Sequence, residues 1–157
     1  MPKIHTYETT VNWTGNQGSG TSDYRAYGRD HEVRAPGRPV LLGSADPAFR
    51  GDPARWNPEQ LLLAALSECH MLSYLHLCAT AGVAVTSYTD DAHATMATTA
   101  EGGHFTEAVL RPRVEVASAE SVRTATELHE AAHRACFVAS SVSFPVRHEP
   151  VVTVRRA

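Results

Sequence analysis

The feature that most constrains this chain is the stretch from 57 to 82, NPEQLLLAALSECHMLSYLHLCATAG. Both of its ends carry helix punctuation. Asn57 can accept a hydrogen bond from an otherwise unpaired N–H of the first turn. Pro58 falls at the first helical position, where its missing donor costs nothing. Gly82 can take the left-handed conformation that ends a helix. Between them Leu61, Leu62, Leu63, Ala64, Ala65, Leu66, Met71, Leu72, Leu75 and Leu77 spread around most of the circumference. A helix that is apolar nearly all round is expected to be buried. Glu59, Glu68, His70 and His76 interrupt it, so it lacks the uninterrupted run of about 20 apolar residues typical of a membrane span. Its middle carries Cys69, either as inert filling or as chemistry.

The other segments supply elements to lay against such a helix. Residues 3–13 read as a strand rich in Thr, Tyr, Val and Trp. A Gly/Asn/Ser turn follows at 15–20, and 22–33 is expected to pair back as a hairpin. Arg29 lies in that second arm, in Tyr27-Gly28-Arg29-Asp30-His31; its local sequence reads as an exposed strand charge. Residues 36–56 read as a long Pro- and Gly-rich loop, and loops of that length are functional or disordered. Phe49 and Trp56 within it favour order, packed on the helix or lining a small-molecule pocket. Residues 83–98 and 104–117 alternate with period two and form a hairpin through Glu101-Gly102-Gly103, with Pro112 marking an edge or a bulge. A second helix is expected over 121–137, with Val122, Ala125, Leu128, Ala132 and Ala135 as its apolar stripe, capped by Ser118 or Ser121 or boxed by Thr124 and Glu127, and with Cys136 at its end. Residues 146–154 read as a last strand. The order defines a single α+β domain over 1–157, with no internal repeat.

Charge and cysteine content narrow the function classes. A net charge of −3 over 157 residues leaves no footprint for nucleic acid or anionic lipid, and the Arg155-Arg156 pair reads as a solvated tail. Three cysteines are too few, and odd in number, for a secreted disulfide framework. The first residues, MPKIHTYETT, contain no apolar signal region. A reducing, cytoplasmic setting is the expectation.

Thiol reactivity follows thiolate fraction and access. Cys69 is mid-helix, beyond reach of the helix dipole, and needs a cation from elsewhere. Cys136 sits at a helix C-terminus, where the dipole disfavours a thiolate. Those environments suit an attacking thiol and a later partner, with packing as the alternative for both. Cys78 falls on the opposite face from Cys69, at about 100° per residue, and reads as packing. A metal site is a sharper rival: His129, His133 and Cys136 share one helical face, and Cys69 or His70 would complete four ligands. No Ser–His–Asp nucleophile, phosphate-binding glycine loop or dinucleotide fingerprint is present.

Three segments together resemble the OsmC/Ohr family of osmotically inducible and organic-hydroperoxide-resistance proteins. They are Asn57-Pro58-Glu59-x-Leu61-Leu62 with Cys69 ten residues after Glu59, Ala132-His133-x-x-Cys136-Phe137-Val138-Ala139-x-Ser141-Val142, and Gly28-Arg29-Asp30. The resemblance runs over essentially the whole chain, and the long loop favours the OsmC-like branch. It implies an OsmC-like fold: antiparallel sheets around a long buried central helix and a second helix, in an intertwined homodimer with active sites at the subunit interface. It implies a thiol peroxidase that reduces organic hydroperoxides to alcohols and needs no cofactor beyond its cysteines. Cys69 would attack the peroxide and become a sulfenic acid, and Cys136 would resolve it to a disulfide. Arg29 would lower the thiolate's pKa and stabilise the leaving alkoxide, held by Glu59 through a charge-assisted bond. Phe49, Trp56, His70 and Phe137 are candidate pocket residues. By the same resemblance the reductant is a dithiol such as dihydrolipoamide.

Glu59 and Cys69 stand about 15 Å apart along a straight helix, at 1.5 Å per residue. One arginine fork can hardly serve both from one chain, so each site is expected to mix residues of two subunits, with the loop 36–56 closing over the partner. Ser67-Glu68-Cys69-His70 is more polar than the small apolar residues of the hydroperoxide-resistance branch, which puts His70, His76, His129 and His133 near the site. Beside the peroxidase stand two alternatives: a metal-binding protein using His129, His133 and Cys136, and a non-catalytic OsmC-fold protein that binds small apolar ligands.

Overall fold

A computed structural model describes residues 1–156. The chain divides into two compact units, Met1–Leu61 and Leu62–Ala157, and the division falls inside the first helix.

In the first unit, β1 (Thr10–Trp13), β2 (His31–Arg34) and β3 (Leu41–Gly43) form an antiparallel sheet in that order. The strands are shorter than the sequence suggests. Residues 1–9 form no strand, and 14–30 between β1 and β2 are mostly turns. Gly15 and Gly28 explain the shape of this connection. Gly28 N donates to Gly15 O, and a Cβ on Gly15 would lie 2.0 Å from Gly28 O. The expected loop 36–56 contains β3 and a short 3-10 turn, Pro47–Phe49. Its organiser is Ser44, fully buried, which donates to Asp30 Oδ1 and accepts from Asp52 N, both at 3.0 Å.

Helix α1 runs Pro58–Thr80, with the expected caps. Gln60 N donates to Asn57 Oδ1 at 2.8 Å, Asn57 N donates back to Gln60 Oε1, and Gly82 has φ 72°. Its burial differs from the expectation. Within one chain only Leu66, His70, Tyr74 and Cys78 are buried, a single stripe at four-residue steps; Leu72 is 62% exposed and the other leucines are half-buried. The sequence pattern is that of a helix enclosed on all sides, and one chain encloses one side. By length and composition α1 is also apolar enough to cross a membrane, but its buried stripe is fixed in the core of the second unit.

That unit holds β4 (Val85–Asp90), β5 (His93–Thr99), β6 (Gly102–Leu110), β7 (Pro112–Val116), α2 (Ser121–Ala135), β8 (Val146–His148) and β9 (Val151–Val154). They form two three-stranded sheets, β4-β7-β9 and β5-β6-β8. β4 pairs with β7 and β5 with β6 antiparallel, the latter as a hairpin, whereas β8 joins β6 and β9 joins β7 in parallel, so these sheets are mixed rather than purely antiparallel. Each expected long strand is split in two. Pro112 marks one break: it is buried and opens β7, where a strand tolerates a missing donor. Helix α2 packs on β7 and β9 and buries Ala125, His129 and Ala132; no side chain caps its start, so neither serine and no capping box is used. Tyr74, Cys78, Val114, Val116, Ala125 and Ala132 form the core between α1, α2 and the β4-β7-β9 sheet.

Candidate active site

Cys69 lies one residue beside the buried stripe of α1, and at about 100° per residue that places it at the stripe's edge. It is accordingly half-buried, whereas Cys136 is 1% exposed. Cys136 caps α2. Its backbone turns to an extended conformation, its N–H bonds His133 O, and the following 3-10 turn Ala139–Ser141 folds back on it. Ala139 N donates to Cys136 Sγ at 3.4 Å, and Ser140 donates to Cys136 O through both N and Oγ. The Cys69 thiol lies near enough to act on the Cys136 thiol. Burial first, and then the neighbouring Cys69 thiol, push the Cys136 thiol up to about 11, against the backbone N–H groups of Ala139 and Val138, which favour its thiolate. Cys136 is thus held protonated beside Cys69. Burial, rather than the helix terminus read from sequence, is the leading cause. Cys78 is buried among Tyr74 and the core, and burial raises its thiol.

Of the histidines named from sequence, His70, His129 and His133 gather around His148, whereas His76 is exposed and outside the group. His70 Nε2 and His129 Nδ1 share a hydrogen bond of 3.0 Å, and His129 stacks on Tyr74 with centroids 3.8 Å apart. His148, from β8, lies 5.6 Å from His70 and 5.4 Å from His133, ring centre to ring centre. His70 Nδ1 and His129 Nε2 are buried without a partner. Burial, then His148 and His133, lower His70 to about 4; burial, then His70 and His148, lower His129 to about 3. His148 is lowered too, by burial and then His133, with Glu130 opposing. Among the described residues no three His, Cys, Asp or Glu side chains are arranged to hold a metal ion. His70 belongs to the core, not to a pocket wall.

In the first unit, Arg29 is held by its own loop. Nη1 donates to Tyr27 O and Nη2 to Tyr24 O, and the guanidinium lies 4.4 and 4.0 Å from the ring centroids of Tyr24 and Tyr27. Glu59, half-buried in the first turn of α1, makes no ion pair with Arg29 among the described residues. Phe49 and Trp56 are 42% and 51% exposed, and Phe137 is 82% exposed. None of the three aromatic rings is packed away within one chain. Trp56 is nonetheless fixed through its backbone, which bonds Leu42 O and Ser44 N, and it borders a shallow cavity with Arg55 and Gln60. Glu68 is exposed, facing away from the thiols' buried side.

Sequence reasoning missed Tyr74, His148, Tyr24 and Tyr27. Tyr74 was readable, being four residues from His70 on the stripe that begins at Leu66. His148 carries no local signal, since only the parallel pairing of β8 brings it to the helices.

The comparisons with known proteins agree with this architecture. The family model described as OsmC-like protein matches residues 51–150, and the chain belongs to that family. An OsmC-like protein of unknown function from Vibrio cholerae is 32% identical, with a TM-score of 0.84 over 94% of this chain and 100% of that one. An organic hydroperoxide resistance protein from Elizabethkingia anophelis is 17% identical, with a TM-score of 0.67 over the full length of both. A Legionella pneumophila organic hydroperoxide resistance protein, OsmC, is 15% identical, with a TM-score of 0.64 over 99% of this chain and 100% of that one. At those identities the last two share the fold. No curated protein matches the chain.

Proposed function

We propose that this protein is a thiol-dependent peroxidase that reduces organic hydroperoxides to alcohols. The observation that carries the reading is the thiol pair: a half-buried Cys69 beside a buried Cys136 held in its protonated form. Cys69, as thiolate, attacks the terminal peroxide oxygen. The O–O bond breaks, the departing alkoxide takes up a proton and leaves as the alcohol, and Cys69 becomes a sulfenic acid. Cys136 then attacks the Cys69 sulfur, the S–OH bond breaks, and the Cys136 proton leaves with the hydroxyl as water. An external dithiol, of which dihydrolipoamide is the chemical type, returns both cysteines to thiols by exchange.

In this reading Arg29 supplies positive charge to the thiolate and the departing oxygen, and Glu59 orients it. The protein works as a homodimer. The unpartnered side of α1 supports that, since its half-buried leucines and Leu72 have no cover within one chain. Exposed Phe49, Trp56 and Phe137 would then line an apolar substrate pocket.

The test is a thiol count before and after one equivalent of cumene hydroperoxide, on the wild type and on Cys69→Ser and Cys136→Ser. The expected result is loss of two thiols in the wild type, none in Cys69→Ser, and a trapped sulfenic acid in Cys136→Ser. Three thiols left reduced in the wild type would refute the reading and leave a fold that binds apolar ligands without turnover.

A further inference from the structure

An arginine on a loop normally swings freely or is neutralised by a carboxylate; Arg29 does neither. Its two terminal nitrogens donate to the carbonyl oxygens of Tyr24 and Tyr27, and its charge lies over the rings of the same two residues. The loop that carries them is itself braced. Trp13 meets Tyr27 edge-on, at 5.9 Å and 84°, and its Nε1 donates to Gly28 O at 2.9 Å. Asn16 and Tyr27 form a backbone bridge.

The nearest carboxylate in sequence is already engaged. Asp30 accepts from Ser44 and faces Arg55 at 3.4 Å, so its charge is balanced away from Arg29. Arg29 forms no ion pair among the described residues. A guanidinium has five N–H donors. Two are used here, which leaves three on a cation whose plane is fixed and which no carboxylate of the same chain engages among the described residues, so its edge is open to Glu59 of a second subunit and to the reacting anion. Aromatic faces suit this task because they hold a cation by its plane and accept none of its edge donors.

We infer that Tyr24 and Tyr27 are positioning residues that clamp Arg29 as a pre-oriented anion-binding fork. The inference rests on the peroxidase reading, in which the anion is the charge on the attacking sulfur and the departing oxygen. The clamp acts through the rings. The tyrosine hydroxyls take no part in it, and the carbonyl acceptors are backbone and survive any substitution.

The experiment compares Tyr24→Leu, Tyr27→Leu and the double variant with Tyr24→Phe and Tyr27→Phe. It reads kcat/KM for cumene hydroperoxide and the rate at which phenylglyoxal modifies Arg29, followed by mass spectrometry. Loss of both faces is expected to lower kcat/KM roughly tenfold and to speed modification by a similar factor, each ring contributing about threefold. The Phe variants are expected to stay within about twofold of wild type on both readouts. Thermal midpoints check folding, and the single Leu variants carry the comparison if the double variant is unstable. An unchanged modification rate in the Leu variants overturns the clamp, whatever the activity does. Faster modification with unchanged kcat/KM overturns the positioning role and leaves the peroxidase reading standing. Phe variants as impaired as Leu overturn the ring-face argument. A wild type that consumes no hydroperoxide overturns the peroxidase reading and the positioning role together.

Discussion

The buried imidazole pair makes stability depend on pH by an amount that follows from the structure. His70 and His129 are 1% and 0% exposed and neutral in the folded chain, lowered to about 4 and about 3. Unfolded, each returns to about 6.5. Between roughly pH 7 and pH 5 the unfolded chain therefore binds protons that the folded chain does not, and stability falls as pH falls. The loss begins near the unfolded value and ends only when the folded rings charge. At about pH 5 an unfolded histidine is some 97% protonated while both folded rings remain mostly neutral, so each contributes a loss of about 2 kcal/mol relative to about pH 7.5. This figure depends almost entirely on the unfolded pKa, because both folded values lie below the window. Coupling between the two rings does not enter, since neither is charged there. Together they give about 4 kcal/mol, a large share of the 5–15 kcal/mol that holds a typical domain. His148, also lowered, moves in the same direction. Urea unfolding followed by far-UV circular dichroism, at fixed protein concentration, reads the difference. At a typical slope of about 2 kcal/mol per molar, the midpoint is expected to drop by about 2 M. His129→Phe, which keeps a flat ring against Tyr74, is expected to lose about half of the pH dependence. A stability difference under about 1 kcal/mol between the two pH values would refute the argument.

Three further outcomes follow from other parts of the molecule. Iodoacetamide near pH 8, with alkylation located by mass spectrometry, is expected to label Cys69 well before Cys136 or Cys78, because burial raises both of the latter; equal labelling contradicts the assigned environments. Ser44→Ala removes a fully buried hydroxyl that joins Asp30 to the backbone of Asp52, and is expected to cost about 1–3 kcal/mol in denaturant unfolding. Gly15→Ala drives a methyl to 2.0 Å from the carbonyl oxygen of Gly28 and must open the Arg29 loop. It is expected to accelerate phenylglyoxal modification of Arg29, and a wild-type rate would show that the loop tolerates the intrusion.

The sequence carried the helices best because their signals are local. Asn57, Pro58 and Gly82 set the limits of α1, and the Val122-to-Ala132 spacing set α2, although its expected end at 137 overran by two residues because Cys136 leaves the helix as its cap. Strand identity was legible; strand length and direction were not. Nothing near 146–154 distinguishes one last strand from two separate parallel additions, a choice made by partners some 38 residues upstream. Burial was misread for a physical reason. Hydrophobicity records all the surfaces a helix meets, whereas one chain supplies only the face bearing Leu66, His70, Tyr74 and Cys78. At the site, the thiol pair was readable as two environments and a family resemblance. The tyrosines that hold Arg29 were not, since Tyr24 and Tyr27 precede it by five and two residues, a spacing that belongs to no regular element.

The parallel strands β8 and β9 make one short segment the shared edge of two sheets. Each is the edge strand of its sheet, β8 on β6 and β9 on β7, and β8 also brings His148 to the histidine core. Without residues 146–154 each sheet of the larger unit is a two-stranded pair with an open edge, and such pairs are marginal in water. One stretch of nine residues therefore covers unpaired edges on two sheets at once, so a lesion within it weakens both together.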